Sequence, residues 1–451
     1  MSTIAFKKVA DGNPVADALP IIFTPHPVIG VSPETLDKYI IGEDPVTHKT
    51  IIDEIIEVLT RPQQAKKTAA PNSHPIKAVE APLYLKPDTE DNLQDLFYKN
   101  GWTDGLPVIL PTESRVQKMM KGTCAAVDDI AAEGFNFDTH EMLKYTVRNI
   151  ATIAVMAGAT PEMLPVILAV AATRQSALMP STTPFEAMLL VNGPIRNEIG
   201  MNCGIGAFSA VNRANSVLGR AWTLMSIAHG FARVKNTLWS SQGNNHTYNN
   251  MCAGENEERS VWEPFHVTKG FNASESVISI FRGWTFMNST GAASHRSLTE
   301  ELNIMLAVMP PMNSSATIIM DPMVARELKD DEGFATKLDF AKHLSKNIKM
   351  PNGQFWKTDY IDMLVASEAY KGVEPYRSWK KLPDDAMIYP YHKPENINII
   401  VIGGETSPLW KAADYGYSGS QPVDKWRAHP AGVVCKDGEC GLPDEPAEYD
   451  K

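Results

Sequence analysis

The stretch AMLLVNGPI, residues 187–195, is an apolar run that stops at a Gly-Pro pair. Short apolar runs bounded by turn residues are typical of strands that are buried on both faces. Two later runs have the same character, SATIIMD at 315–321 and INIIVIGG at 397–404. We predict all three as central strands of a sheet.

The segments around these strands have helical signals. MLPVILAVAA, residues 163–172, is apolar throughout and predicts a buried helix, being shorter than the ~20 residues that span a bilayer. It follows Thr160-Pro161-Glu162, a typical helix start, and we predict helix over 140–176. A glycine-containing loop from 202 runs into a helix that stops at Gly230. Strands that alternate with helices indicate an α/β or mixed α+β fold with layers of strands and helices. No internal repeat is visible.

Composition narrows the function classes. The chain has 451 residues, with 42 basic against 53 acidic side chains, and its Lys and Arg form no basic stripe. A nucleic-acid partner is therefore not expected. No secretory signal or membrane span is visible, and five cysteines do not suit a secreted disulfide scaffold, so we expect reduced thiols in the cytoplasm. No P-loop and no full GxGxxG follows a strand, so no nucleotide cofactor is implied.

The N-terminal part predicts an incomplete domain. Residues 20–60 begin with a short apolar strand and later place Ile51, Ile55 and Leu59 at helical spacing. Such a fragment cannot bury its apolar stripe alone, and it docks on a later part of this chain or on another chain. The predicted domains are a 1–19 arm, a partial α/β domain at 20–60, a 61–92 linker, a large α/β domain at 93–425 and a 426–451 tail.

The segment CAGENEERSVWEPFH, residues 252–266, is the first candidate site. Glu255 and Glu257 suit acid–base chemistry, or the binding of a divalent metal together with His266, and Cys252 suits a nucleophile. The apolar bulk of Trp262 and Phe265 predicts a raised carboxyl pKa in the segment. The alternative is a solvated acidic loop without a role.

The loop before the 213–230 helix is the second candidate site. Backbone N–H groups of a glycine loop at a helix start suit an anion, and two arginines seven residues apart share one helix face. The alternative is that the glycines serve close packing. The residues predicted to bind substrate here are Asn202, Cys203, Gly204, Gly206, Arg213 and Arg220.

Histidines in polar loops complete the predicted site, namely His246 and His295. His26, between two prolines, either shapes a pocket or merely sits in a rigid turn. Free cysteines are commonly small buried apolar residues, and this interpretation is favoured for Cys124 and also stands as the alternative for Cys203 and Cys252. Cys435 and Cys440, in the tail, suit a disulfide or half of a metal site.

Several segments resemble the C-terminal region of the UGSC-motif (seleno)protein family. They are TDGLPVILPTESRV, LLVNGPIRNEIGMNCGIGAF, NRANSVLGRAWTL and CAGENEERSVWEPFHVTKGF, and the resemblance covers roughly residues 97–425. Residues 20–60 more weakly resemble the end of that family's N-terminal domain. The redox loop of that domain, Cys or selenocysteine followed by Gly-Ser-Cys, does not precede Pro25 here.

The resemblance implies a second polypeptide that completes the N-terminal domain and supplies the redox loop in a hetero-oligomer. The expected function is that of an enzyme subunit, an oxidoreductase or a lyase. It would act on a small, anionic organic substrate by thiol- or selenol-dependent reductive or eliminative cleavage of a carbon–heteroatom bond. Two alternatives stay open: a non-redox lyase or hydratase with Glu and His as acid and base, and a non-catalytic structural or ligand-sensing subunit.

Overall fold

The computed structural model describes residues 21–25, 28, 31–60, 84–136, 141–230, 232–234, 237–248, 251–289, 296–428, 434–436 and 439–441. Its strands are β1 (Ile130–Asn136), β2 (Glu141–Thr146), β3 (Glu186–Asn192), β4 (Met251–Gly254), β5 (Val277–Gly283), β6 (Phe286–Asn288), β7 (Ala316–Met320), β8 (Met350–Pro351), β9 (Met387–Ile388), β10 (Ile397–Val401), β11 (Trp410–Ala413), β12 (Gly416–Pro422), β13 (Val434–Lys436) and β14 (Glu439–Gly441).

The helices in the same described ranges complete a mixed α/β protein, as the sequence predicts. They are α1 (Pro33–Ile41), α2 (Ile51–Thr60), α3 (Glu90–Lys99), α4 (Glu113–Met120), α5 (Val147–Ala157), α6 (Leu164–Ala172), α7 (Ile195–Glu198), α8 (Arg213–Ala228), α9 (Phe265–Thr268), α10 (Leu298–Ala307), α11 (Pro322–Asp330), α12 (Lys337–Asn347), α13 (Asn352–Trp356), α14 (Asp359–Tyr370) and α15 (Tyr376–Trp379).

Contacts divide the chain into two compact units. The smaller unit combines the described residues of 1–87 with residues 350–388, and the larger unit combines 88–349 with 389–451. The sequence predicts one large domain over 93–425. The observed division differs from this prediction, because residues 350–388 belong to the same compact unit as the N-terminal segment.

The smaller unit contains the predicted isoleucine-rich helix. α2 spans Ile51–Thr60, and Ile51 is fully buried, but Ile56 and Leu59 are 51% and 79% exposed. α1 has no buried residue. The strand predicted near residue 20 is wrong for the described part, because residues 21–25 have no regular secondary structure. There the Phe23 N–H donates to the buried Asp44 carboxylate at 2.6 Å.

The larger unit contains two four-stranded sheets. In the first sheet, β3 pairs with β4 in parallel and with β5 antiparallel, and β12 adds to β5. In the second sheet, β7 pairs with β10 in parallel and with β11 antiparallel, and β6 adds to β11. β3 and β7 are therefore central, as predicted. The prediction of a central strand is wrong for β10, which forms an edge of its sheet.

The two sheets repeat one topology. Each is built from a strand, a parallel partner later in the chain and an antiparallel neighbour, and its fourth strand comes from the other half of the unit. β5 of the first sheet leads into β6 of the second, and β11 of the second leads into β12 of the first. The repeat is one of topology, which is why the sequence alone did not reveal it.

The sheets are the inner pair of four layers, with helices outside them. Along β3, Leu189 and Val191 pack with helices α5, α6 and α8, while Met188 and Leu190 pack between the sheets. Ile319 of β7 joins the residues between the sheets, and its neighbours along the strand pack with α10, α11 and α12. Because successive side chains of a strand point to opposite faces, both faces of these strands are apolar.

The helical layer over the first sheet differs from its prediction at one point. α6 is buried along almost its whole length, as predicted for 163–172. The region 140–176 is not continuously helical, because 141–146 forms β2, which pairs with β1. The side chain of Thr146 then caps α5 by accepting the Asn149 N–H. β2 reads EMLKYT, with two apolar residues in succession, so its sequence lacks the strict alternation of polarity that marks a half-buried strand.

Candidate functional site

The acidic segment lies at one edge of the first sheet. β3 ends at Asn192 and β4 ends at Gly254, and the carboxyl ends of parallel strands meet at the same edge. Residues 255–258 therefore lie beside Asn192 and Gly193. The Asn256 N–H donates to the Val401 carbonyl at 2.8 Å, which joins this edge to the end of β10 in the second sheet.

Glu255 is a buried anchor and not a free acid or base. Its side chain is fully buried, and its Oε2 accepts from Asn192 Nδ2 at 2.7 Å and from the Phe265 N–H at 2.6 Å. Its Oε1 accepts from Lys337 Nζ at 2.5 Å and from the Val401 N–H at 3.2 Å. Four donors thus hold the carboxylate, and through it α9, α12 and β10 are tied together.

Arg196 organises the remaining acidic side chains, and sequence reasoning missed it. Its guanidinium, 3% exposed, forms ion pairs with Glu257 at 2.9 Å and Glu258 at 3.0 Å. It also donates to the Glu255 carbonyl at 2.6 Å. Hydrogen bonds from Arg196 lower the pKa of Glu258 to about 2. The available signal was the position of this arginine, two residues after the Gly-Pro turn that ends β3.

Glu257 also accepts backbone and side-chain hydrogen bonds, from Asn192 Nδ2 and the Gly193 N–H, both at 2.8 Å. The expectation of a raised carboxyl pKa in this segment is wrong for Glu258. The mutual pairing of these groups favours a structural role for the cluster, which we call the Arg196 cluster: Asn192, Arg196, Glu255, Glu257 and Glu258.

Of the two described thiols near this cluster, Cys252 is buried and Cys203 is half-buried. Cys203 Sγ lies 3.7 Å from Arg196 Nη1, and burial raises the pKa of the Cys203 thiol despite that cation. Burial also raises the pKa of Cys252, which packs with the α5–α6–α8 core. Both environments favour the thiol over the thiolate, so neither cysteine is set up as a nucleophile. Cys124, predicted to be buried, is exposed.

His266 does not join the two glutamates at a metal site. Its ring is fully buried and its Nε2 lies 3.0 Å from the Asn272 carbonyl, while Nδ1 is buried without a partner. In the part of the chain that the structure describes, no group of three or more His, Cys, Asp or Glu side chains is placed to hold a metal ion. The metal considered for Glu255, Glu257 and His266 therefore lacks its ligand set.

The predicted anion loop is held by its own asparagine. Asn202 Oδ1 accepts the Gly204 N–H at 2.9 Å and Asn202 Nδ2 donates to the Ile205 carbonyl at 2.8 Å. Gly206 has a φ of +70°, a conformation that favours glycine. The Cys203 carbonyl accepts the Gly403 N–H at 3.1 Å. The loop is thus closed by its own hydrogen bonds, and the backbone conformation of the turn favours glycine at Gly206.

The two predicted arginines are not brought together. Arg220 forms a bidentate ion pair with Asp104, at 2.9 and 3.0 Å, and also donates to the Pro107 carbonyl at 2.7 Å. It therefore fixes the turn that precedes α4. Arg213 is exposed and lies 3.5 Å from the Gly158 carbonyl. The prediction that both grip one anion is wrong, because Arg220 is already paired within the protein.

A cavity of about 280 Å³ lies close to Glu255, between α9, α12 and β10. We call it the Lys269 cavity. Glu255 contacts two of its walls through Phe265 and Lys337. The lining residues are Glu263, Phe265, Thr268, Lys269, Lys337, Leu338, Ala341, Pro394, Glu395, Ile397, Asn398 and Ile399.

Lys269 is the free cation of this cavity among the described residues. Its Nζ lies 5.0 Å from the Phe265 ring centre and 4.7 Å from that of Tyr417, and it has no hydrogen bond or ion pair with a described residue. Burial lowers the pKa of Lys269. A half-buried ammonium that only aromatic rings face is suited to bind an anion from solution.

The opposite end of β3 carries a second buried polar group. Glu186, fully buried at the side chain, contacts His246 Nδ1, and its Oε1 has no partner. Asp414, in the bend between β11 and β12, accepts from the Trp284 and Thr285 N–H groups at 3.0 Å each, and its Oδ2 has none. Burial raises the pKa of Asp414 to about 7, and the Glu186 charge adds to the effect. Tyr415 lies beside both carboxyls.

The remaining predicted site residues are outside the described part of the chain. They are His26, His295 and the side chains of Cys435 and Cys440. His246, in contrast, is described and lies far along β3 from the acidic segment, at Glu186. The raised carboxyl pKa that the sequence led us to expect near Trp262 is thus found at Asp414, which the sequence did not single out.

Comparison of the chain with protein-family models, with curated proteins and with solved structures found no match. The resemblance to the UGSC-motif family therefore stays a prediction. None of the described helices combines the length and the apolar character that crossing a bilayer requires.

Proposed function

We propose that this chain is the substrate-binding subunit of a heteromeric enzyme. Its substrate is a small anionic organic molecule, and a carbon–heteroatom bond of that molecule is cleaved reductively or by elimination. A second polypeptide supplies the thiol or selenol loop. The observation that carries the proposal is the Lys269 cavity, which combines a cation free of described partners with apolar walls.

The residues that line the cavity favour a reaction in which the thiol comes from another polypeptide. It includes no cysteine, and burial raises the pKa of both Cys203 and Cys252. A reductive cleavage needs two electrons, which a dithiol releases when it closes to a disulfide. An elimination needs no electrons from outside, because a base removes a proton, a π bond forms and the heteroatom leaves with the electron pair of its bond to carbon. The thiols of Cys203 and Cys252 are held in the protonated form by burial, and the family resemblance implies a dithiol in the partner.

The exposed apolar side of α2 supports a partner for the smaller unit. Ile56, Val58 and Leu59 are exposed, and α1 next to α2 buries no side chain. Exposed apolar groups on neighbouring helical turns are typical of contact surfaces. The partner that we propose completes this unit by covering α2.

The first test is native mass spectrometry of the complex purified from its source. We expect a second polypeptide that contains a Cys- or selenocysteine-Gly-Ser-Cys loop, and loss of turnover when its thiols are alkylated. A monodisperse, active chain without any second polypeptide would refute the proposal. So would a co-purifying protein that lacks the redox loop.

A pair of variants then tests where the partner binds. Ile56→Glu on α2 places a charge on the proposed contact surface, and we expect it to dissociate the complex. Ile304→Glu on α10 is the matched control, because Ile304 is also an isoleucine on a helix and has nearly the same exposure, 50% against 51%. Equal loss of the partner in both variants would contradict the proposed contact.

The acid–base alternative predicted from the sequence finds no support in its own residues. Glu255 and Glu257 accept hydrogen bonds and ion pairs from protein groups, and His266 is fully buried. A lyase that relied on these side chains would first have to break that network. We therefore do not propose a non-redox reaction at the acidic segment.

A further inference from the structure

The Lys269 cavity is lined by charges of both signs. Lys269 and Lys337 contribute two ammonium groups, and Glu263 and Glu395 contribute two carboxylates that are exposed at its rim. A site for a simple anion gains nothing from carboxylates in its lining, since like charges repel the ligand. A lining of mixed sign is complementary to a ligand that itself carries both charges.

Unused hydrogen-bond donors lie on one side of the cavity. Lys337 is 5% exposed, and its ammonium has three donors, of which the described residues engage one, through Glu255. Lys269 engages none of its three with a described residue. Buried ammonium donors without acceptors are costly. A carboxylate in the cavity would satisfy donors of both lysines.

Unused acceptors lie on the strand side. Asn398, 1% exposed, lines the cavity, and its Oδ1 is buried without a partner. Its Nδ2 is engaged, donating to the Thr317 hydroxyl at 3.2 Å. The unpaired oxygen therefore calls for a donor from a ligand, such as an ammonium group.

The free edge of β10 adds backbone groups to that side. At Val401 this edge is covered, because the N–H donates to Glu255 and the carbonyl accepts from Asn256. Residues two and four positions earlier along a strand face the same edge. Ile399 and Ile397 therefore turn their N–H and carbonyl groups to the cavity that they line.

The walls between these polar groups are apolar. Phe265, Leu338 and Ala341 line the cavity together with the two isoleucines of β10. The volume, about 280 Å³, is at the lower end of the range for small-molecule sites. The ligand that fits has a carboxylate, an ammonium group and a compact apolar part.

We propose that the Lys269 cavity binds an α-amino acid with an apolar side chain, its carboxylate at Lys269 and Lys337 and its ammonium group at Asn398 and the rim glutamates. The inference rests on the proposed function only in that it takes this cavity as the substrate site. It deepens that function by naming the substrate class, a zwitterion instead of a simple anion.

The test is calorimetric titration of the 451-residue chain with three matched probes. L-leucine carries both charges, isocaproate lacks the ammonium group and isoamylamine lacks the carboxylate. We expect leucine to bind at least about tenfold more tightly than either, a difference of roughly 1.4 kcal/mol. Equal binding of isocaproate would overturn the zwitterion in favour of a simple anion site. Absence of binding by leucine, valine and phenylalanine alike would overturn the proposal outright.

Variants of two lysines test whether leucine binds in this cavity. Lys269→Met is expected to weaken leucine binding about tenfold or more, while Lys269→Arg keeps the charge and most of the affinity. Lys411→Met is the matched control, because Lys411 is likewise a lysine over two aromatic rings, those of Phe208 and Phe286, outside the cavity. Equal weakening by Lys411→Met, or none by Lys269→Met, would contradict the assignment.

The outcome separates this inference from the proposed function. Binding of the probes requires no redox partner, so it is measured whether or not a second polypeptide exists. Leucine binding, together with a natively purified and active protein that contains no second polypeptide, would support the amino-acid site and refute the heteromeric enzyme. A complex that contains the redox partner, but whose 451-residue chain binds no amino acid, would support the heteromeric enzyme and refute the amino-acid site.

Discussion

The buried carboxyl side chains described in the larger unit are of two kinds, those with hydrogen-bond or ion-pair partners at every oxygen and those with one oxygen left without a partner. In the Arg196 cluster the three carboxylates accept hydrogen bonds or ion pairs from protein groups, and hydrogen bonds from Arg196 lower the pKa of Glu258 to about 2. Glu186 and Asp414 each keep a buried oxygen without a partner, at the other end of the same strand. An unsatisfied buried carboxyl is costly when it is ionised, and at Asp414, where burial raises the pKa, this cost couples the protonation state to folding.

The raised pKa of Asp414 therefore predicts that the free energy of unfolding depends on pH. Its pKa is raised to about 7 from an ordinary value of 3.8, so the folded chain holds a proton that the unfolded chain has lost. The stabilisation from this proton is present at low pH and is lost as the pH rises from about 4 through 7. Asp414→Asn keeps the acceptor for Trp284 and Thr285 and removes the ionisation.

We expect Asp414→Asn to stabilise the protein at pH 8 by up to about 4 kcal/mol, the equivalent of a shift of roughly three units, and by clearly less at pH 5. Denaturant unfolding at both pH values measures the difference. Asp37→Asn, at an exposed position of α1, serves as the control. A gain that is the same at pH 5 and pH 8 would show that Asp414 does not titrate in this range.

Elements were predicted well where their residues are apolar on all sides. β3, β7 and α6 are runs of aliphatic side chains bounded by turn residues, and their burial on every face leaves a plain signal in the sequence. β6 and β12 carry polar or glycine residues, and pairing with a strand distant in the sequence determines them. No local pattern reports such a partner, so these two strands were missed. β2 was also missed, although its partner β1 is close in the sequence, and so was β5, although it is largely apolar and buried.

The site was predicted less well than the fold for a related reason. The segment 252–266 was singled out for its charges, but a charge in the sequence does not show which partner neutralises it. Arg196 and Lys337 are 59 and 82 positions away from Glu255. The cavity depends on Lys269 and Asn398, and nothing near either residue in the sequence distinguishes it from an ordinary surface side chain.

The close packing at the end of β4 predicts that the stability of the protein depends strongly on Gly254. A Cβ at Gly254 would lie 2.5 Å from Cys203 Sγ and 3.1 Å from Arg196 Cδ, closer than van der Waals contact allows. We expect Gly254→Ala to destabilise the protein by roughly 1–3 kcal/mol, as overpacking in a core does.

Gly204→Ala is the matched control, since a Cβ there meets nothing closer than 3.9 Å. Its effect is expected to stay within about 0.5 kcal/mol. Both variants are compared by denaturant unfolding. If Cys203→Ala in the Gly254→Ala background restores none of the loss, the contact with Sγ is not its cause.

At the scale of the whole molecule, the two N-terminal helices bury far less than the central strand of the larger unit. β3 is buried at all seven positions, whereas α1 has no buried residue and α2 has one. Amides open at a free energy that follows such local burial. We expect hydrogen exchange by mass spectrometry to be fastest in α1 and α2 and slowest in β3.

The same measurement on the complex gives a second result. Covering of α2 by the proposed partner is expected to slow its exchange by about tenfold or more while β3 stays unchanged. Slow exchange of α1 and α2 in the isolated chain would mean that these helices are already covered, and it would remove the physical reason for a partner.

The chain passes from the first sheet to the second between β5 and β6, and it returns between β11 and β12. These two passages have a consequence for any attempt to divide the larger unit into fragments. A fragment that ended after β6 would keep three strands of its own sheet and would carry a loose fourth strand meant for the other. This fragment and the complementary fragment that begins at β7 would complete each other, because β6 pairs with β11 and β12 pairs with β5. The intact polypeptide holds β6 and β12 in one molecule, so its architecture does not depend on protein concentration.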